Sequence, residues 1–397
     1  MPQSLDIQLQ NQSTSSEIYA YVTGISLQQN AGSRVLIQAD GRSLYFPANP
    51  PKILQPLAED CAIPLGAPGA PPVTVRCPQM AGGRIWFSRD AKLTFLLNPG
   101  GPTGAALVEP SVLNPTDANA GVDFTFAEFT LNSHQLFANI SYVDFVSRLP
   151  IALSLQDGAG VQHVSGMAAD GLARLCDGLR EQAGRDGRPW DKLVVADKKG
   201  GGSPTPLRVL SPTHGNAAGA DFGGYYEPLV EEVWQKYGAS TGTKLKINTQ
   251  AAAGVVEGAV AGDGKLVFSC NSGNEAFGKP NTADILGCNS GPFVTGPSPT
   301  RNAIIPRLAA GFLRSTLADN TDHPSPADTH YRREPTNHYA RLLHEVNLDG
   351  KGYAFAYDDV QPDGGADRSG KVNSGDPKVF VVTVGGGNAY VGDKMPI

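Results

Sequence analysis

Residues 122–150, VDFTFAEFTLNSHQLFANISYVDFVSRLP, decide how the rest of the chain is read. Phe124, Phe126, Phe129, Ile140, Tyr142, Val143 and Phe145 are aromatic or β-branched residues that suit a pleated surface. Asn132-Ser133-His134 between them is turn chemistry, so the stretch is expected to be a β-hairpin. Two carboxylates, Glu128 and Asp144, interrupt the apolar run. Side chains alternate faces along a strand, so Phe126, Glu128, Thr130 and Asn132 share one face. If even-numbered residues pair with even ones, Glu128 stands opposite Tyr142 and Asp144 lies diagonally across, with Cα atoms roughly 7–8 Å apart. That approaches the ~6.5–9.5 Å at which an acid and a base work on opposite sides of a glycosidic bond with a water between them. The spacing alone does not decide the matter, because most such acids are solvated strand-face residues or partners of an arginine.

Outward from the hairpin, the chain is rich in strands and turns. Its 397 residues are enough for two domains or one large one, and a 40% hydrophobic fraction can build a sizeable core. Charged residues make up only 18%, and the 47 Gly and 31 Pro favour short strands over long helices. Residues 1–60 hold four alternating segments, LDIQLQN, IYAYVTGISL, SRVLIQA and RSLYFPA. Residues 61–80 are expected to be a loop, followed by strand-like GGRIWFSRDAKLTFLLN. After Pro150 the pattern changes. Helices are expected near 165–182, 223–237, 302–316 and 335–345, mixed with buried or alternating strands such as KLVVAD, PLRVLSP, KLKINTQ and GKLVFSC. The last part, including YAFAYDDV and KVFVVTVGG, returns to strands. Gly200–Pro204 and the glycines at 385–387 are expected to be flexible loops, since neither precedes a helix with the Lys-[Ser/Thr] pair of a phosphate loop.

Several functions are disfavoured. A net charge of −6 lacks the basic footprint of a nucleic-acid binder and suits a neutral polysaccharide. No apolar run of about 18 residues suggests a membrane span. The start, MPQSLDIQLQNQSTSS, has no basic segment followed by an apolar one, so no signal peptide is visible. Cys61 with Cys77, and Cys270 with Cys288, are candidate pairs, while Cys176 suits a buried helix thiol. No CxxC or HxxxH spacing supports a metal. His338 and His344 are expected on a helix surface or at a cap, and no cofactor is expected. CNSGP and VSGM lack the nucleophile elbow of a serine hydrolase. Asn139 opens a glycosylation sequon, but a glycan there would block the proposed cleft.

AEFTLN at 127–132 followed by NISYVDFVSRLPI at 139–151 resembles the acidic-cleft segment of thaumatin-like proteins, and resembles more closely glycoside hydrolase family 64, the laminaripentaose-producing endo-β-1,3-glucanases. The similarity extends through RIWFS, PWDKLVV, LRVLSP, GYYEPLVEEVWQKY, TADILGCNSGPF, PRLAAGFLRSTL, PTNHYARLLHE and GYAFAYDDV, phrases that plain thaumatin-like proteins in part lack. The resemblance implies a mainly β fold with an α/β insertion: a thaumatin-like β-barrel or sandwich domain plus a mixed α/β domain flanking a wide groove. The β-domain is then discontinuous, covering 1–157 and 346–397, with the α/β domain at 158–345. An inverting endo-hydrolase of linear β-1,3-glucan is implied, with Glu128 as general acid and Asp144 as general base. Such an acid must keep its proton, and Phe126 and nearby aromatics are expected to help by desolvating it. Thr130 and Asn132 match subsite residues, and Arg84 matches the arginine near the acidic pair of thaumatin-like proteins. Phe137 stands where the enzymes carry Trp, Tyr142 is taken to share the site face, and Asn139 replaces a third acid. The expected partner is β-1,3-glucan, with no nucleic acid or membrane, and the protein is expected to be a secreted monomer. The rival reading is a non-catalytic β-glucan-binding protein of thaumatin-like type.

Overall fold

The structure is a computed structural model and describes residues 3–102, 104–197, 205–270 and 273–385. The expected loop at 200–204, and Gly386 and Gly387 of the late glycine run, lie outside the described residues.

The hairpin sits inside an eight-stranded sheet. Its order is Lys371–Ser374, Leu136–Ile140, Asp123–Leu131, Met80–Arg89, Ile18–Ser26, Arg34–Ile37 and Leu44–Tyr45, with Ile63–Pro64 also against Ile18–Ser26. A five-stranded sheet runs Gly160–Val164, Ile151–Asp157, Val379–Val384, Ser4–Asn11 and Val73–Pro78. The alternation of side chains explains how the two meet. Ile85, Phe87, Ala127, Phe129, Leu131 and Ala138 point from the large sheet into one core, and Ile7, Leu9, Leu153, Phe380 and Val382 meet them from the other sheet. The opposite face of the large sheet carries a second apolar cluster in which Tyr21, Trp86, Phe95, Phe124, Phe126 and Phe145 interlock. No strand pairing closes either sheet into a barrel among the described residues.

Among the described residues, the chain between these strands supplies five α-helices, Gly171–Asp186, Glu227–Lys236, Thr282–Gly287, Pro299–Leu313 and His338–Val346. A second five-stranded sheet lies among them, ordered Glu275–Phe277, Leu266–Ser269, Val255–Val260, Leu245–Asn248 and Asp322–His323. Helix ends differ from expectation where local chemistry sets them. Ser298 caps the fourth helix by accepting from the Arg301 amide, with Pro299 in the first turn, so that helix starts earlier. Asn337 accepts from Ala340, so the fifth starts at His338 and not at Pro335. A small sheet, Phe145–Ser147, Pro206–Leu210 and Val194–Ala196, stitches the end of the hairpin segment to this part of the chain.

Three expectations change. Val73–Pro78, placed in a loop from its Pro and Ala content, pairs with Ser4–Asn11 through alternating Val75 and Cys77. YAFAYDDV is a turn, not a strand: Asp358 accepts from the Ala354 amide and donates its own amide to Phe355. All five cysteines are free. Cys77 points into the inter-sheet core and Cys61 into the aromatic cluster on the other face, which separates that candidate pair.

Candidate active site

The register of the hairpin builds the site. Glu128 stands opposite Asn139, three residues from the expected Tyr142, and opposite Arg84 on its other side. Continued outward, these pairs make one polar row across the sheet: Thr23, Arg84, Glu128, Asn139 and Lys371. The neighbouring row, Tyr21, Trp86 and Phe126, is aromatic and buried. One face therefore passes within a single residue pair from a dry cluster to an open cleft of about 410 Å³. Arg34, Arg84, Glu109, Glu128, Thr130, Phe137 and Asn139 are among the residues that line it.

Arg84 is the hinge of the cleft. Its guanidinium lies over the Phe126 ring, 4.8 Å from the centroid, where the ring's negative face attracts the cation. Nε and Nη2 donate to Glu128 Oε1 at 3.3 and 3.2 Å, and Nη1 donates to Glu109 Oε2 at 2.6 Å. Glu128 Oε2 carries no hydrogen bond among the described residues and is left to the cleft.

Asp144 is not a strand residue. The chain leaves the sheet at Ile140 and bends through 141–144 before the short strand Phe145–Ser147. The bend is held from behind: the Tyr142 amide donates to Tyr353 O, and the Tyr339 hydroxyl donates to Tyr142 O at 2.6 Å. His214 Nε2–H donates to Asp144 Oδ1 at 2.8 Å, and the Ser211 amide donates to the Asp144 carbonyl at 2.9 Å. The hydrogen bond from His214 outweighs burial, and with help from the charges of His214 and Arg84 it holds the Asp144 carboxyl below the usual carboxylate range. Arg84 thus acts on both acids, and the rings of Phe126, two residues before Glu128, and Phe145, which follows Asp144, are 5.8 Å apart. As at Glu128, one oxygen is anchored and the other accepts no hydrogen bond among the described residues.

The other expected residues divide. Thr130 and Phe137 are a cross-strand pair in the same cleft as Glu128 and Arg84. Asn132 uses its side-chain oxygen to hold the hairpin turn, accepting from the His134 and Gln135 amides at 2.8 and 3.0 Å. Tyr142 does not face the cleft: it is buried and its hydroxyl donates to Asn347, so it supports the bend from the core. Phe126 also lies in the aromatic cluster, where it holds Arg84. Glu109 comes from the loop just before the hairpin and His214 from a 3-10 turn 70 residues beyond Asp144, and no motif marks either. His338 and His344, expected on a helix surface or at a cap, are buried against Glu334 and Asp358.

A family model described as beta-1,3-glucanase matches residues 3–384. The chain is 33% identical to a laminaripentaose-producing beta-1,3-glucanase whose crystal structure holds laminaritetraose, with a TM-score of 0.81 over 96% of this chain and 99% of that one. A beta-1,3-glucanase domain from Clostridium beijerinckii shares the fold at 21% identity and a TM-score of 0.73, covering 96% of this chain and 98% of that one. A glucan endo-1,3-beta-glucosidase from Cellulosimicrobium cellulans is 30% identical over 334 residues, 82% of this chain and 55% of that protein. The chain spans about half the length of the curated relatives it matches. By class this is a mainly β glycoside hydrolase fold. Within that class the chain belongs to glycoside hydrolase family 64, the beta-1,3-glucanase family.

Proposed function

We propose that this chain is an inverting endo-β-1,3-glucanase that cleaves linear β-1,3-glucan to short laminarioligosaccharides, with Glu128 as general acid and Asp144 as general base. The observation that carries the reading is the matched state of the two carboxylates: each has one oxygen anchored, by Arg84 or His214, and one free. Glu128 gives its proton to the glycosidic oxygen as the bond to the anomeric carbon breaks. Asp144, held in its ionised form, takes a proton from a water that attacks that carbon from the other side. Thr130, Phe137 and the exposed part of Asn132 hold the glucan, and Arg84 orients the acid.

We also divide the chain as a thaumatin-like β-domain at 1–157 and 346–397 and an α/β domain at 158–345, with the groove between them. The pairing of Val379–Val384 between Ser4–Asn11 and Ile151–Asp157 supports this. We propose an extracellular monomer with β-1,3-glucan as its partner; for the partner, the support is a relative crystallised with laminaritetraose.

The test is incubation with a linear β-1,3-glucan followed by product sizing. Short oligosaccharides are expected from the unaltered protein. Losses of a thousandfold or more are expected from Glu128→Gln and Asp144→Asn variants that melt normally. Binding without cleavage by the unaltered protein would assign it instead to non-catalytic glucan binding.

A further inference from the structure

We infer that Glu109 is a positioning residue that keeps Glu128 able to act as an acid, by taking up the charge of Arg84. The inference rests on the assignment of Glu128 as general acid.

The site contains a conflict that the hairpin alone does not resolve. A general acid must reach the transition state with its proton, yet Glu128 accepts two hydrogen bonds from a guanidinium. A lone cation at that distance favours the carboxylate over the acid. Arg84 is nevertheless needed, because it fixes Glu128 Oε1 and packs on Phe126 and Trp86.

Glu109 offsets this cation. The small sheet of Gln55–Pro56, Leu96–Asn98 and Ala106–Val108 delivers Glu109 just past its last strand, over the polar row. Its contact with Arg84 is the shorter of the two, 2.6 Å against 3.2 Å. Its side chain is also the least exposed of the three acids, 19% against 36% for Glu128 and 40% for Asp144, so solvent screens its charge least. Both its oxygens are occupied: Oε2 by Arg84 and Oε1 by the Thr23 hydroxyl, and Thr23 in turn accepts from the Trp86 indole N–H at 3.1 Å. With each oxygen already accepting a hydrogen bond, Glu109 is placed to balance the charge of Arg84. Its anion thus meets the same guanidinium that binds Glu128.

Asp144 and Lys371, also near Glu128, have partners of their own. Asp144 is bonded to His214. Lys371, at the end of the polar row, faces Asp359, and Tyr353 donates to Asp359. Arg34 lines the same cleft, and among the contacts of the described residues it bonds neither Glu109 nor Glu128. Glu109 is therefore the group whose removal changes what Arg84 does to the acid.

The experiment is the pH dependence of kcat/KM on a linear β-1,3-glucan oligosaccharide for the unaltered enzyme, Glu109→Gln and Glu109→Asp, with melting curves for each. Glu109→Gln leaves Arg84 ion-paired to Glu128 alone, so the acid should lose its proton earlier. The alkaline limb should move down by about one pH unit, roughly tenfold in rate on that side, with activity on the acid side within about twofold. Glu109→Asp keeps the charge and should keep the limb within a few tenths of a unit. A uniform loss at every pH would mean a structural role, an unmoved limb in Glu109→Gln no role, and equal shifts in both variants a role for geometry and not charge; each overturns the inference. Glu128→Gln separates the two levels. If it remains active, the acid assignment itself falls. If it is dead while the Glu109→Gln limb is unmoved, only the present inference falls.

Discussion

His214 Nε2 lies 2.8 Å from Asp144 Oδ1, across 70 residues of sequence, and this contact joins the acidic bend to the α/β part of the chain. The hydrogen bond is the largest of the effects that hold the Asp144 carboxyl below its usual range, while burial pushes it up. A base must be unprotonated, so a depressed value keeps it competent at lower pH. His214→Phe removes both the bond and the charge of His214, and leaves burial opposed by Arg84 alone. The acid limb of the kcat/KM profile should then move to higher pH, with the alkaline limb unchanged. A profile whose acid limb stays in place would mean that Asp144 is not the group titrating there.

A second relationship governs stability. Asp358 is fully buried and bridges Arg314, at 2.9 Å, and His344, at 3.1 Å. Burial pushes its carboxyl up, but His344 and Arg314 together outweigh burial and hold it below the usual range. A depressed carboxyl contributes stability above its unfolded value of about 3.9, and that contribution is lost as pH falls through the folded value. Asp358→Asn strands the buried Arg314 charge and should cost about 3–5 kcal/mol at neutral pH. The variant should also lose part of the acid sensitivity of the native fold. Denaturant unfolding between pH 3 and 7 measures both, and a loss below about 1 kcal/mol would contradict the role given to the pair.

Much of the β architecture could be read from alternation, because strand faces are local properties. Asn132-Ser133-His134 does form the turn, and Asn132 closes it with its own side chain. Register was not readable. Even-with-even pairing put Glu128 opposite Tyr142, whereas the turn brings it opposite Asn139, and Tyr142 falls into the core. Asp144 reaches the site through a bend fixed by Tyr339 and Tyr353, contacts made with residues about 200 positions away. YAFAYDDV alternates like a strand, but Arg314 and His344 draw Asp358 inward and fold the segment into a turn. Glu109 and His214 were invisible for the same reason: each is an ordinary residue in its own segment and meets the site only through tertiary packing.

The stereochemical course of the reaction tests the roles of Glu128 and Asp144 most directly. On the proposed roles, with the acid on the strand and the base on a bend beyond it, water should enter opposite the leaving group, and the first product from a linear β-1,3-glucan should carry an inverted anomeric centre. Proton NMR of the reaction within the first turnovers, before mutarotation, reads this. An excess of the α-anomer is the expected result. An early excess of the β-anomer would require one carboxylate to act as a nucleophile at about 5–5.5 Å from the other, and would contradict the assignment of Asp144 as a base acting through water.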